Sequence, residues 1–179
     1  MAVRHKPHVV VRRISPNQSS RSGRRPVLMV VHATAGHNRR GVGDLEALGE
    51  WFSRQSSAVS SHVATDNEGH SARFVNDDRK AWHCAAYNGI SLGIEQVLPG
   101  DGSEVTEALY QETARWLARW SHLHAIPLRK GRVSRDGRVL ETGVVRHSDL
   151  GVLGGNHSDP GPFDLHHCLE LARGHRSHL

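Results

Sequence analysis

The run Val27-Leu28-Met29-Val30-Val31 is followed directly by His32-Ala33-Thr34-Ala35-Gly36. Consecutive apolar residues rich in valine are typical of a strand buried on both faces of a central sheet. The small residues that follow predict a loop where this strand ends. His32 at the junction either points into a cleft at the end of the sheet or is an ordinary buried histidine of the core, and the run alone leaves both interpretations open.

Further strands and a helix are predicted after this run. Apolar residues spaced three and four apart indicate an amphipathic helix over 44–55, with Asp44 as its possible N-cap. Residues 60–65 and 72–75 flank a turn and predict a β-hairpin. Residues 91–98 predict another strand, in which Glu95 stands among apolar neighbours. A carboxylate there is costly to bury unless it is paired or used, and its alternative is a solvated position on an exposed face.

Two longer helices complete the predicted elements. Thr106 can cap a helix that runs to about His124, and residues 162–173 predict a final helix ended by Gly174. In the helix capped by Thr106, a stripe of apolar residues should face the core, and a set of polar residues should face water. The stripe is Val105, Leu109, Trp116, Leu117, Trp120 and Leu123, and the wet face is Glu112, Arg115 and Arg119. The expected fold is α/β, with a mixed central β-sheet flanked by helices.

The length of 179 residues fits a single domain. We expect a basic N-terminal arm over 1–26 with one edge strand at His8 to Val11, a main domain over 27–173, and a C-terminal tail over 174–179. The two cysteines, Cys84 and Cys168, are too few for a disulfide framework or a cysteine-based zinc pattern. Both are expected to be buried small apolar residues.

The charge of the chain favours a polyanionic partner. The formal net charge is +5 and the sequence pI is about 9.9. Nucleic acid, an anionic membrane surface and an anionic cell-wall polymer all satisfy this electrostatic argument, so charge does not choose among them. No nucleic-acid-binding module is recognisable, and no apolar run is long enough for a signal peptide or a membrane span. We therefore expect synthesis in the cytoplasm without membrane insertion.

A polar stretch near the C-terminal end carries candidate metal ligands. Val144-Val145-Arg146-His147-Ser148-Asp149 is followed, after a glycine-rich interruption, by Asn156-His157-Ser158-Asp159-Pro160-Gly161. A catalytic zinc ion takes three protein ligands, commonly histidine nitrogen and carboxylate oxygen, and leaves a fourth position open. His147 and Asp159 could be two of the three ligands, and the third must come from elsewhere in the chain.

With His32 and Glu95 in view, the chain resembles the zinc-dependent N-acetylmuramoyl-L-alanine amidases, the family of many phage endolysins and bacterial cell-wall amidases, to which the peptidoglycan recognition proteins are related in fold. The resemblance runs from about Val27 to Phe163. It rests on motifs that are weak singly and specific in this order and spacing. They are residues 30–35 (VVHATA), 60–63 (SSHV), 81–83 (AWH), 92–95 (LGIE), 144–149 (VVRHSD) and 158–163 (SDPGPF).

The resemblance implies a reaction and a set of site residues. His32, His147 and Asp159 would hold one Zn²⁺ ion, and Glu95 would act as general base toward the attacking water. The bond cleaved would be the amide between N-acetylmuramic acid and the L-alanine of the stem peptide. The substrate-contacting residues would be Thr34, Ser61, Trp82 and His83, and Asp149 would order the ligand loop.

The chain departs from the family pattern at two positions. His157 stands where the family often has lysine, two residues before the last ligand, and Ser61 stands where it often has tyrosine. His157 could still donate to the oxyanion of the reaction, in a way that depends more on pH than a lysine would. Ser61 has a shorter reach than tyrosine.

Three other functions compete with this interpretation. A peptidoglycan-binding module of the same fold would have lost catalysis, whereas here all three ligand positions and Glu95 are filled. A zinc peptidase acting within the stem peptide would use the same metal chemistry. A nucleic-acid binder rests on charge alone. The favoured hypothesis is a monomeric, phage-type lysin that binds peptidoglycan and no nucleic acid, and that reaches the cell wall after holin-type release.

Overall fold

The computed structural model describes residues 5–34, 42–98, 105–161 and 163–179. Its centre is a six-stranded mixed sheet in the order β1-β5-β4-β7-β3-β10. Those strands are β1 (Val9–Arg12), β3 (Leu28–Ala33), β4 (Val63–Asp66), β5 (Ser71–Arg73), β7 (Ser91–Val97) and β10 (Gly143–Arg146). Two small sheets are added by β2 (Gln18–Ser20) with β6 (Arg79–Ala81), and by β8 (Arg132–Val133) with β9 (Val139–Glu141).

Helices cover both faces of the central sheet. On one face, α2 (Glu107–His124) and α3 (Leu165–Arg176) pack on a large apolar cluster that includes Met29, Val31 and Ile94. On the other face, α1 (Gly43–Ser53) packs on a smaller cluster. Alternate side chains of β3 and β7 point to opposite faces of the sheet, as strand geometry requires. The predicted α/β fold with a mixed sheet flanked by helices is confirmed.

Several predicted elements are confirmed with shifted ends. The buried strand extends through Ala33, so His32 lies inside β3 rather than after it. The β4 and β5 strands form the predicted antiparallel hairpin. Thr106 caps α2, since its side chain accepts a hydrogen bond from the Leu109 backbone N–H at 3.2 Å. Trp116 and Trp120 are core residues, and Cys84 and Cys168 are buried free thiols.

Two helix boundaries were predicted wrongly. Asp44 lies within α1, which begins at Gly43 and has no side-chain cap bond from Val42. The last helix is capped by Asp164 and continues through Gly174 to Arg176. His175, next to this glycine, is buried and its Nε2 lies 2.8 Å from Gln111 Oε1 on α2. Packing against α2 thus outweighs the helix-ending tendency of glycine.

The faces of α2 also differ from the prediction at two positions. Leu123, placed in the apolar stripe, is 51% exposed, whereas Glu112, placed on the wet face, is fully buried. The Glu112 carboxylate accepts hydrogen bonds from the His8 backbone N–H and from Ser71 Oγ at 2.7 Å. Arg115 pairs with its other oxygen at 3.0 Å. Glu112 therefore ties the edge strand β1 to the helix layer.

The N-terminal segment, predicted as a basic arm, is part of the packed structure from residue 5 onward. It contributes β1 and β2, one strand more than predicted. The Arg21 guanidinium is buried and donates to the backbone oxygens of Asp77 and Ser91, each at 2.9 Å. No helix in the described ranges combines the length and apolar character needed to cross a membrane.

A fully buried histidine, His62, lies directly before β4. Its Nδ1 accepts the Gly93 backbone N–H at 2.9 Å, and its Nε2 lies 3.1 Å from the Arg79 carbonyl oxygen. Burial, followed by the positive charge of neighbouring Arg21, lowers the pKa of His62 to about 3. The folded protein therefore keeps this ring neutral at mildly acidic pH.

Replacing Glu112 with alanine should lower the free energy of unfolding by roughly 3–5 kcal/mol, because it leaves buried donors and Arg115 without their carboxylate. Urea unfolding of Glu112→Ala measures this loss. The matched control is Glu170→Ala on the exposed face of α3, which should change stability by less than about 0.5 kcal/mol. Equal effects of the two substitutions would contradict the anchoring role of Glu112.

The free energy of unfolding should also fall as the pH drops from about 7.5 to about 4.5. Unfolded His62 takes up a proton below its ordinary pKa, whereas folded His62 stays neutral until the pH nears 3. This residue's share of the loss is about 3 kcal/mol. Denaturation of His62→Gln at both pH values should show a correspondingly smaller loss, and exposed His122→Gln should behave as wild type. An unchanged pH dependence in His62→Gln would exclude this residue as the source.

Candidate metal centre

Three parallel strands bring the candidate site residues to one edge of the sheet. In the register of β3 and β7, His32 lies opposite Glu95. In the register of β3 and β10, Arg146 lies opposite Val31, so His147 follows at the level of His32. Side chains at paired positions of neighbouring strands share a face. The sheet therefore places His32, Glu95 and His147 side by side.

The third ligand candidate comes from the loop after β10. Two short 3-10 helices, His147–Leu150 and Val152–Gly154, turn the chain back over the strand end. Asp159 then lies across the site, where its Oδ2 accepts the Ala33 backbone N–H at 3.2 Å. Asp149 accepts the Arg146 backbone N–H at 3.0 Å, as expected for a residue that orders this loop. His147 and Asp159, twelve positions apart in the chain, thus meet at one centre.

The candidate ligand atoms converge closely. His32 Nδ1 lies 3.0 Å from His147 Nδ1, His147 Nδ1 lies 3.0 Å from Asp159 Oδ1, and His32 Nδ1 lies 3.5 Å from Asp159 Oδ2. A tetrahedral zinc ion with bonds of about 2.1 Å holds its ligand atoms roughly 3.4 Å apart. These three side chains could therefore hold one such ion.

The other nitrogen of each ring is already committed to a hydrogen bond. His147 Nε2 lies 2.9 Å from the Gly154 carbonyl oxygen, which can only accept, so this nitrogen carries the proton. His32 Nε2 lies 2.8 Å from His83 Nδ1. The Nδ1 atoms of the two rings and the Asp159 carboxylate therefore face one another. A hydrogen bond at the second ring nitrogen is typical of histidines that bind a metal ion.

The electrostatics of the centre favour a metal ion over a proton on His32. Burial, opposed by the hydrogen bond to Asp159, lowers the pKa of His32 to about 4. Burial opposes ionisation of Asp159, but the rings of His147 and His32 outweigh it and hold the pKa of this carboxyl well below its usual range. Near neutral pH the two groups therefore offer a neutral imidazole and a carboxylate, the forms that bind metal.

The pKa of Glu95 is shifted in the opposite direction from that of Asp159. Burial, reinforced by the negative charge of Asp159, raises the pKa of Glu95 to about 8. A carboxyl group with a raised pKa is typical of a proton-transferring residue. A cation among the three ligands would lower this pKa and favour the ionised form.

A cavity of about 810 Å³ opens over the centre. It is of the size that ligand sites commonly have. Among the predicted substrate-contacting residues, Thr34, Trp82 and His83 line it. Ser61 does not, since its side chain is fully buried. The structure therefore does not place Ser61 at the cavity where the predicted substrate contact would be made.

His157 lies at the rim of the same cavity. Its side chain is 58% exposed, and its ring stacks on that of His147 with centroids 4.2 Å apart. His157 Nδ1 lies 3.7 Å from Asp159 Oδ1. The structure thus places His157 beside the candidate ligands with its outer edge free to face a substrate.

Sequence reasoning missed one wall of the cavity and one contact within the site. Trp51 of α1 lines the cavity and is 48% exposed, although helical spacing alone assigns it to the core. The contact between His83 and His32 was also missed. A signal for it exists in β7, where Gly93 shares a face with Glu95 and leaves a gap. A Cβ at Gly93 would lie 2.6 Å from His83 Nδ1.

Comparison with known proteins supplies the family. The model of the N-acetylmuramoyl-L-alanine amidase family matches residues 22–162, most of the chain. None of the curated proteins matches the chain in sequence.

Solved structures share the fold at low identity. A selenomethionine derivative of AmpD is 24% identical, with a TM-score of 0.68, and the match covers 90% of this chain and 93% of that one. AmiA from Staphylococcus aureus, in complex with its ligand, is 18% identical with a TM-score of 0.69 and coverages of 96% and 84%. The Ph2119 endolysin from Thermus scotoductus MAT2119 bacteriophage Ph2119 is 14% identical with a TM-score of 0.58 and coverages of 84% and 86%.

The family match spans every strand and loop that carries His32, Glu95, His147 and Asp159. The buried ligand cluster, the carboxyl group beside it and this match agree with one another, and the chain belongs to the N-acetylmuramoyl-L-alanine amidase family.

Proposed function

We propose that the protein is a zinc-dependent peptidoglycan hydrolase that cleaves the amide between N-acetylmuramic acid and the L-alanine of the stem peptide. The observation that carries this proposal is the convergence of two histidine Nδ1 atoms and one carboxylate at the floor of a cavity, beside Glu95. Zinc, when bound there, acts as a Lewis acid toward the amide carbonyl and lowers the pKa of water.

In this proposal the residues of the chain perform the proton transfers. Glu95 takes a proton from the attacking water as the new bond to the carbonyl carbon forms. The same carboxyl group then gives the proton to the alanine nitrogen as the C–N bond breaks. Burial raises the pKa of Glu95 and a bound cation would lower it again, so the group can accept a proton and return it near neutral pH.

His157 supplies the remaining polar contact at the reacting carbonyl. Its ring stacks on His147 and its outer edge faces the cavity, so a protonated nitrogen can donate to the developing oxyanion. Thr34, Trp82 and His83 form the wall that receives the glycan and the stem peptide.

We further propose that the protein acts as a monomer on the cell wall as a phage-type lysin released through a holin-type pore. The net charge of +5 supports attraction to anionic wall polymers. A bacteriophage endolysin shares the fold, as do AmpD and AmiA. Peptidoglycan is the partner, and neither nucleic acid nor a membrane is required.

Digestion of purified peptidoglycan should expose free L-alanine amino termini and leave the glycan strands intact. Glu95→Gln should reduce the rate by roughly 10²–10⁴-fold, because general acid–base catalysis contributes that much. Glu170→Gln on the exposed face of α3 is the matched control and should retain wild-type activity. Mass spectrometry of the products identifies the new termini. Cleavage between amino acids would replace the proposal with a peptidase, and binding without cleavage would replace it with a recognition module.

The purified protein should contain about one zinc ion per chain, measured by elemental analysis. His147→Ala should lose this zinc because one of three protein ligands is removed. The control is His166→Ala on the exposed side of α3, which should retain the metal. Unchanged zinc in His147→Ala would remove that residue from the site.

A further inference from the structure

A line of hydrogen bonds runs from the metal centre into the protein interior. His32 Nε2 lies 2.8 Å from His83 Nδ1, and His83 Nε2 lies 3.1 Å from Ser91 Oγ. Ser91 Oγ lies 2.8 Å from the Tyr87 carbonyl oxygen. His32 and His83 meet edge to face, with ring centroids 5.0 Å apart. The line thus joins one candidate ligand to the backbone through two side chains.

The direction of every proton in this line follows from its last member. A carbonyl oxygen only accepts, so the Ser91 hydroxyl donates to Tyr87, and its two lone pairs accept from the Cys84 thiol at 3.2 Å and from His83 Nε2–H at 3.1 Å. A neutral imidazole carries one N–H, so His83 Nδ1 is a lone pair and accepts from His32 Nε2–H. His32 Nδ1 is then left unprotonated and directed at His147 and Asp159.

The surroundings of His83 hold its ring in this orientation. Asn88 Oδ1 accepts the backbone N–H groups of His83 at 2.9 Å and of Cys84 at 2.7 Å, which fixes the turn that carries the ring. The absence of a side chain at Gly93 leaves the space in which the ring lies, since a Cβ there would approach it to 2.6 Å. Few other orientations fit between β7 and His32.

We propose that His83 and Ser91 are positioning residues that fix the ring tautomer of His32, so that its Nδ1 lone pair is presented to the metal ion. This inference rests on the zinc site of the proposed function. It gives His83 a role other than the substrate contact expected from the sequence. Partners of this kind raise the basicity of a ligand histidine and fix its orientation.

Removal of the acceptor at position 83 changes the energetics of His32. In His83→Leu, the buried Nε2–H loses its hydrogen bond, so the proton can move to Nδ1, where it blocks the ligand position. In His83→Asn, the amide oxygen lies near the position of Nδ1 and still accepts the proton. The two substitutions therefore separate the acceptor from the bulk of the ring.

The first test measures zinc dissociation constants by competition with a chelator, on variants shown to be folded by circular dichroism. His83→Leu should bind zinc about 10–100-fold more weakly than wild type, whereas His83→Asn should recover most of the affinity. Ser91→Ala should show a smaller loss in the same direction. His175→Leu, which removes a buried hydrogen-bonded histidine far along α3, should bind zinc as wild type does.

The second test reads the tautomer directly in the metal-free protein by ¹H–¹⁵N correlation of the histidine side chains. His32 should show a protonated Nε2 and an unprotonated Nδ1 in wild type and in His83→Asn, and a mixture in His83→Leu. Wild-type zinc affinity in His83→Leu, or an unchanged tautomer of His32 in that variant, would overturn the positioning role.

A failure of the wild-type protein itself to bind zinc would overturn the proposed function instead. The tautomer measurement would still decide whether the line of hydrogen bonds from His32 to Tyr87 exists. If His83→Leu does not fold, His83→Asn and Ser91→Ala decide the question.

Discussion

The parallel pairing of β3 with β7 on one side and β10 on the other is the constraint on which the site depends. Each ladder fixes the position of one functional group relative to His32, namely Glu95 from β7 and His147 from the end of β10. A slip of one residue in either pairing would turn that side chain to the opposite face of the sheet. The apolar residues that alternate with these groups on the other face, such as Val31 and Ile94, make such a slip costly because they would lose their core contacts.

The same burial that fixes the register also sets the chemistry of the site. Enclosure keeps the imidazole of His32 neutral and raises the pKa of Glu95, while the two adjacent histidine rings keep Asp159 ionised. The pKa values of the two carboxyl groups at this centre are therefore shifted in opposite directions. Separation of this kind distinguishes a group that holds a metal ion from one that moves a proton.

The parts of the fold that the sequence predicts are those in which local pattern and tertiary packing agree. The apolar run of β3 and the cap at Thr106 satisfy both, and each is confirmed. Glu112 and Gly174 show the opposite case. Helical periodicity assigns Glu112 to solvent, but His8, just before β1, and Ser71 of β5 donate hydrogen bonds to it. Contact with α2 likewise carries α3 past Gly174. Partners distant in the chain leave no mark in a local pattern, so these outcomes could not be predicted from it.

In the candidate site, too, some properties of single residues follow from the local sequence and others depend on partners distant in the chain. Ser60 lines the cavity whereas Ser61, its neighbour, has no exposed surface, and a motif read along the chain does not distinguish the two. His83 lines the cavity, yet its chemical role depends on which atom faces its nitrogen. That atom belongs to His32, on a strand that pairs directly with β7. Gly93 is the one local sign of this contact, because a strand buried on both faces has no need of a missing side chain unless another group occupies the space.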